Sequence, residues 1–158
     1  MTIVQRTVQN KFCVIISLMR TFDIHDLLDN RYPHACLHDS PIQQINVDYI
    51  QRDVAITCLL AVSNPDEDTP HETYAHGLLT FTGMKYFVVE APDENYCYDD
   101  SKGLDIAAEG SLSSEEMIVK YPNLPRDLED DDFVYYFYAT NCNSMIFIAA
   151  NDAHFIWL

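Results

Sequence analysis

The sequence predicts an α+β domain built mainly from an antiparallel β-sheet or sandwich of about six to eight strands. Residues 133–158 contain three apolar runs of strand length, rich in aromatic and β-branched residues and separated by Asn, Asp and Ser turn signals. Residues 53–63 are apolar on both faces, which is typical of a central strand. We expect the three C-terminal runs to pair as an antiparallel meander whose last strand closes the core.

The other elements follow from local periodicity and from cap and turn signals. Residues 3–22 fit either a helical stripe or a buried strand, and we favour the helix. Asp23 predicts a short helix over 23–30, and Ser113 followed by Glu116 predicts a helix near 113–120 that the prolines at 122 and 125 end. Further strands are expected near residues 42–47, 73–82, 84–90 and 104–108.

The chain of 158 residues fits a single domain, 1–158, long enough to bury about 70% of its unfolded surface without a disulfide or metal. It contains no internal repeat, low-complexity tract or dividing linker. The segment Met19–Phe22 also fits the beginning of the folded domain, and residues 1–18 would then be an N-terminal extension.

Charge is the unusual quantity in the composition. There are 25 acidic and 9 basic residues, which gives a formal net charge of -16. Such a field repels the phosphate backbone, so we expect no direct nucleic-acid ligand. It favours solubility and fast encounter with a basic protein partner.

Cysteine usage and the apolar runs bear on location. The five cysteines are odd in number and widely spaced, without a CxxC pair, which favours free thiols in a reducing cytoplasm. They are Cys13, Cys36, Cys58, Cys97 and Cys142. The apolar run 12–19 is too short for a membrane span of about 20 residues and lacks a following cleavage site, so we predict a cytoplasmic protein with no membrane association.

No catalytic motif stands out. His38-Asp39-Ser40 is the compact Ser/His/Asp grouping, but adjacent residues rarely face one another in a triad, and no GxSxG turn accompanies it. His34 and His38 at i, i+4, and His71 with His76, are weak metal signals without HExxH order. The four scattered glycines form no phosphate cradle. We therefore predict no catalytic residue, metal or cofactor, with a hydrolase or metal-dependent enzyme using His34, His38 and Asp39 as an alternative.

Two acidic stretches remain as surface signals. The first, 93–105, contains tyrosines among its carboxylates, and the second, 127–132, lies between Tyr121 and Tyr135. Tyrosine beside charge is typical of specific protein interfaces, although the same pattern also fits half-buried strand residues and solubilising acids. The acidic excess tips this choice toward steered association with a basic protein.

Two segments resemble a known group of proteins. They are Leu37-His-Asp-Ser-Pro-Ile-Gln-Gln-Ile-Asn-Val-Asp48 and the ending Phe137-Tyr-Ala-Thr-Asn-Cys-Asn-Ser-Met-Ile-Phe-Ile-Ala-Ala150 with Trp157. They resemble the small acidic bacterial immunity proteins of polymorphic toxin and contact-dependent growth inhibition systems. The resemblance implies a non-enzymatic protein that binds and neutralises a cognate toxin, often a basic nuclease. It transfers no active-site residue.

The leading hypothesis is therefore an immunity protein whose acidic loops cover the basic cleft of a toxin domain. We predict that the loop acids supply charge and that two tyrosines act as anchors. The predicted toxin-binding residues are Asp93, Glu94, Tyr96, Tyr98, Asp99, Asp100, Glu129, Asp130, Asp131 and Asp132. A ligand-binding β-domain is a further alternative, which a large apolar pocket would favour.

Overall fold

A computed structural model describes residues 19–64, 73–93 and 103–158. Across these residues the chain forms one antiparallel sheet of eight strands. The strands are β1 (Ser40–Asp48), β2 (Asp53–Ala61), β3 (Tyr74–Thr82), β4 (Tyr86–Val89), β5 (Leu104–Leu112), β6 (Phe133–Ala139), β7 (Ser144–Ala150) and β8 (Asp152–Trp157). The prediction of a mainly antiparallel β fold is confirmed.

The sheet is rolled so that its two edges approach each other. Its strand order is β4-β7-β6-β5-β1-β2-β3-β8, which places β7 second and β8 eighth. Only Asn151 joins these two strands, and it cannot bridge the roughly 29 Å that six interstrand spacings would cover in a flat sheet. At this crossing the Asn151 N–H donates to the Thr82 carbonyl at 3.3 Å, which extends the β3–β8 ladder, and the Lys85 N–H donates to the Ala149 carbonyl at 2.8 Å, which extends the β4–β7 ladder.

The predicted C-terminal meander is wrong in its third strand. β6 and β7 pair as expected, but β8 pairs with β3, with Asp152 opposite Thr82 and Trp157 opposite Gly77. A single residue between β7 and β8 is too short for the two-residue turn of a tight hairpin, so the chain crosses the roll instead of folding back. The last strand does complete the sheet, at the free edge of β3.

The interior of the roll is an aromatic core. Phe81, Phe133, Tyr135 and Phe137 are fully buried, and the ring of Phe22 stacks on that of Phe133 with 4.5 Å between centroids. A second cluster lies on the outer face of β6 and β7, beneath a helix. β6 is therefore buried on both faces, which explains why its sequence is an almost unbroken apolar run.

The helices are short. Helix α1 (Ser114–Val119) begins at the predicted cap, where the Ser113 hydroxyl accepts from the Glu116 N–H at 3.2 Å and the Glu116 carboxylate accepts from the Ser113 N–H at 3.1 Å. This capping box confirms the predicted helix start. Within the segment predicted as a short helix, residues Ile24–Leu27 form one turn of 3-10 helix with Asp23 as its cap. Residues 19–22 are not helical, and the remainder of the predicted helix 3–22 lies outside the described residues.

Candidate protein-binding surface

The acidic segment 127–132 and Asp93, the described residue of the other predicted toxin-binding set, lie at opposite ends of β6. The loop 127–132 leads directly into Phe133, at the start of that strand. Asp93 is tied to the turn that follows the strand, because its N–H donates to the Cys142 carbonyl at 3.4 Å and its carboxylate accepts from the Asn143 amide at 3.3 Å. A strand of seven residues is about 20 Å long. The structure thus does not bring Asp93 into one patch with the acidic segment 127–132.

Most of the first set cannot be placed. Glu94, Tyr96, Tyr98, Asp99 and Asp100 lie outside the described residues. The second set is placed completely and divides by burial. Glu129, Asp130 and Asp131 are exposed, whereas Asp132 is 0% exposed and has no carboxylate surface to offer a partner.

Asp132 anchors the exposed acids to the sheet. Its carboxylate accepts from the Glu129 N–H at 2.8 Å and lies 3.5 Å from the Lys85 ammonium, which is also 3.4 Å from the Glu129 carboxylate. The backbone carbonyl of Asp132 accepts from the Arg20 N–H at 3.2 Å. A bond within the segment and contacts to Lys85 and Arg20 therefore fix the position of the acidic segment, so a partner would lose less conformational entropy in binding it.

The turn between β1 and β2 lies beside this segment. The Met84 N–H donates to the Arg52 carbonyl at 2.6 Å, and the Arg52 guanidinium donates back to the Met84 carbonyl at 3.0 Å. Since Lys85 follows directly and contacts Glu129, the turn and the acidic segment share one end of the rolled sheet. We call this the acidic end and define it as residues 48–53, 83–85, 127–132 and 151–152.

Two large apolar side chains project from the acidic end. Tyr49 is 72% exposed and Ile50 is 90% exposed, at the tip of the β1–β2 turn. The sequence analysis missed them. Their signal was two adjacent apolar residues between Asp48 and Arg52, in a turn position where Asn, Gly and Asp are the usual residues.

Carboxylates determine the outward charge of the acidic end. The basic side chains of this end are bonded within the protein. Arg52 donates to the Met84 carbonyl, and Lys85 pairs with Glu129. The Arg20 guanidinium, which packs beside the acidic end, donates to the Asn151 carbonyl at 3.3 Å. Exposed or half-exposed carboxylates surround these contacts, namely Asp48, Asp53, Asp127, Glu129, Asp130, Asp131 and Asp152. The arrangement suits a positively charged partner surface.

A separate polar cluster lies where the 3-10 turn crosses β5 and β6. The hydroxyl of the buried Tyr135 donates to the carboxylate of Glu109, whose other oxygen lies 3.7 Å from the His25 ring nitrogen. Burial raises the pKa of Glu109 above its ordinary value, and the nearby His25 opposes that rise. The cluster borders a cavity of about 420 Å³. Ser111 lines this cavity, but its hydroxyl is bonded to the backbone N–H and carbonyl of Phe22, so it is not positioned as a nucleophile.

At the end of the sheet opposite the acidic end, an apolar cavity of about 510 Å³ lies between β1, β4 and β7. Ile42, Val89 and Ile146 contribute apolar surface, and Asn141 and Ser144 contribute polar groups. Such a mixture is common in small-ligand sites.

The histidines singled out for enzyme chemistry form no site in the described residues. His34 and His38 are exposed, and the His38 ring nitrogen is 3.8 Å from the carboxylate of Asp39. Ser40 is buried, and its hydroxyl donates to the Cys36 carbonyl and accepts from the Ala61 N–H. The part of the chain that the structure describes contains no group of three or more metal-ligating side chains. His71 lies outside it.

No protein-family model, curated protein or solved structure matches this chain. Within residues 19–64, 73–93 and 103–158, no helix combines the length and the apolar character needed to cross a membrane.

Cys36, Cys58 and Cys142 are free thiols, and burial raises the pKa of Cys58 to about 12.

Proposed function

We propose that this protein is a non-enzymatic, cytoplasmic immunity protein that binds a cognate basic toxin or nuclease domain and blocks it with the acidic end. The observation that carries the proposal is the run Glu129, Asp130 and Asp131. These three residues are consecutive and exposed, and the buried Asp132 holds them against the sheet.

The three carboxylates of this run can attract and orient a basic partner. Exposed carboxylates on a protein of net charge -16 create a field that draws a basic surface into encounter and orients it. A toxin cleft that binds phosphates with Lys and Arg presents the complementary charge. Because the acidic segment is already ordered, its carboxylates can pair with such a cleft without a large ordering cost.

The proposal is tested by the protein encoded upstream of this chain. Its C-terminal domain is produced in bacteria with and without this protein, and growth is measured together with binding of the purified domains. We expect a basic domain that arrests growth alone and is neutralised by co-expression, with binding that weakens as salt rises. A neighbouring domain that neither binds this chain nor arrests growth would contradict the proposal.

A second candidate function, the binding of a small apolar ligand, is favoured by the 510 Å³ cavity near Ile42 and Ile146. Thermal unfolding in the presence of medium-chain fatty acids tests it. Ligand binding should raise the melting temperature, and Ile146→Trp, which fills the cavity, should abolish that rise. An unchanged melting temperature of the unmodified protein across this ligand series counts against it.

A further inference from the structure

We infer that the Tyr49–Ile50 turn is the anchor with which this protein occupies an apolar pocket on its basic partner. The inference rests on the proposed function and adds a specific element to it. In the proposed complex, carboxylates of the acidic end orient the partner, while these two side chains supply the contact area that keeps it bound.

The exposure of the pair is not explained by folding. The side chains of Tyr49 and Ile50 are 72% and 90% exposed, so neither contributes much to the core. Solvent at a hairpin tip favours small polar residues that tolerate turn geometry. Aromatic residues are, by contrast, enriched among the few positions that dominate binding energy at protein interfaces.

The backbone of the turn is already rigid. One oxygen of the Asp48 carboxylate accepts from the N–H groups of both Ile50 and Gln51, at 2.8 and 2.9 Å. On the other side, Arg52 has a positive φ of 61° and exchanges two hydrogen bonds with the Met84 backbone. A turn held from both sides presents its side chains with little entropy left to lose, which is a property of strong interface anchors.

Charge identifies the occupant. Asp48 and Asp53 bracket the turn, and the exposed run beginning at Glu129 lies beside it through the Lys85 contact. A second copy of this chain would bring like charges together, since each copy carries a net charge of -16. A partner with an apolar pocket ringed by Lys and Arg meets the projecting pair and the carboxylates at the same time.

The test compares two matched substitutions in the full chain. Ile50→Ser removes the anchor, and Ile156→Ser makes the same change at a 54% exposed isoleucine on β8, away from the acidic end. Association with the toxin domain is measured by biolayer interferometry at two salt concentrations, and melting temperatures check folding. We expect Ile50→Ser to weaken binding about 10- to 30-fold through faster dissociation, with an unchanged salt dependence, and Ile156→Ser to stay within about twofold.

The outcomes separate the two proposals. If the unmodified protein binds the toxin domain and Ile50→Ser binds equally well, the anchor is wrong while the proposed function stands. If the unmodified protein does not bind, both fall. Sedimentation velocity measures the oligomeric state of the free protein and of the Ile50→Ser variant. If the unmodified protein is a dimer and Ile50→Ser is a monomer, a second copy occupies the turn and the inference is overturned.

Discussion

The carboxylate of Asp132 is completely buried, yet it lies 3.5 Å from the ammonium group of Lys85 at the rim of the rolled sheet. One of its oxygens accepts from the Glu129 N–H, and among the described residues the other has no hydrogen-bond partner. A buried charge is tolerated only when it is paired and hydrogen-bonded. This pair is therefore the support on which the exposed acids depend.

Replacing Asp132 with alanine should destabilise the fold. The change leaves the Glu129 N–H without its acceptor and removes a partner of Lys85, and we expect the free energy of unfolding to fall by about 2 kcal/mol. Urea denaturation measures the loss. Asp131→Ala, at an exposed neighbouring carboxylate, is the control and should change stability by less than about 0.5 kcal/mol. Equal effects of the two substitutions would show that the burial of Asp132 has no energetic role.

Glu109 should make stability depend on pH. The unfolded chain loses this proton near the ordinary pKa of 4.5, whereas burial keeps the folded protein protonated to a higher pH. Between these two pKa values the folded state binds more protons, so this group's contribution to the free energy of unfolding falls as pH rises through that interval. Below pH 4.5 the penalty is absent.

The variant Glu109→Gln removes this penalty and keeps an acceptor for the Tyr135 hydroxyl. We therefore expect it to be more stable than the unmodified protein at pH 7, with the difference shrinking as pH falls toward 4.5 and vanishing below that pH. Thermal unfolding from pH 4 to 8 measures the difference, and Asp131→Asn controls for the loss of one charge. A gain that is the same at every pH would refute the role assigned to burial.

Gly77 should be intolerant of a side chain. A Cβ at this position would collide with the Phe155 ring and come within 2.9 Å of the Leu60 side chain, so the approach of β8 to β3 depends on the missing methyl. Gly77→Ala should cost about 1–3 kcal/mol by overpacking. Combining it with Phe155→Leu should recover part of that loss, and the double-mutant cycle in urea measures the recovery. Strictly additive effects would mean that Phe155 does not impose the restriction.

Charge reversal should distinguish the two ends of the sheet. We expect Asp130→Lys with Asp131→Lys to slow association with the toxin domain by about tenfold at low salt, because both carboxylates lie at the proposed contact. The matched variant, Asp93→Lys with Asp105→Lys, changes the net charge equally at the opposite end and should have a smaller effect. Stopped-flow association rates at several salt concentrations provide the measurement. Equal slowing by the two variants would indicate steering by net charge alone and would remove the acidic end as the contact.

Local patterns located most of the described strands and the cap of α1. Apolar runs of strand length bounded by turn residues marked β1 to β4, and the Ser113–Glu116 capping box marked the helix start, because both depend on residues close together in sequence. The helical interpretation before Phe22 failed for residues 19–22, where packing of Phe22 on Phe133 takes precedence over periodicity. β5 extends to Leu112, beyond the short strand that was predicted.

Composition and local periodicity by themselves determined that this chain is acidic and rich in antiparallel strands. They did not determine which of the acids before β6 is buried, because burial depends on packing. The tertiary structure decided that β8 pairs with β3, that Asp132 is buried while Asp131 is exposed, and that Asp93 lies a strand's length away from them. These facts depend on contacts between residues distant in sequence, whose pairing is set by the closure of the whole sheet.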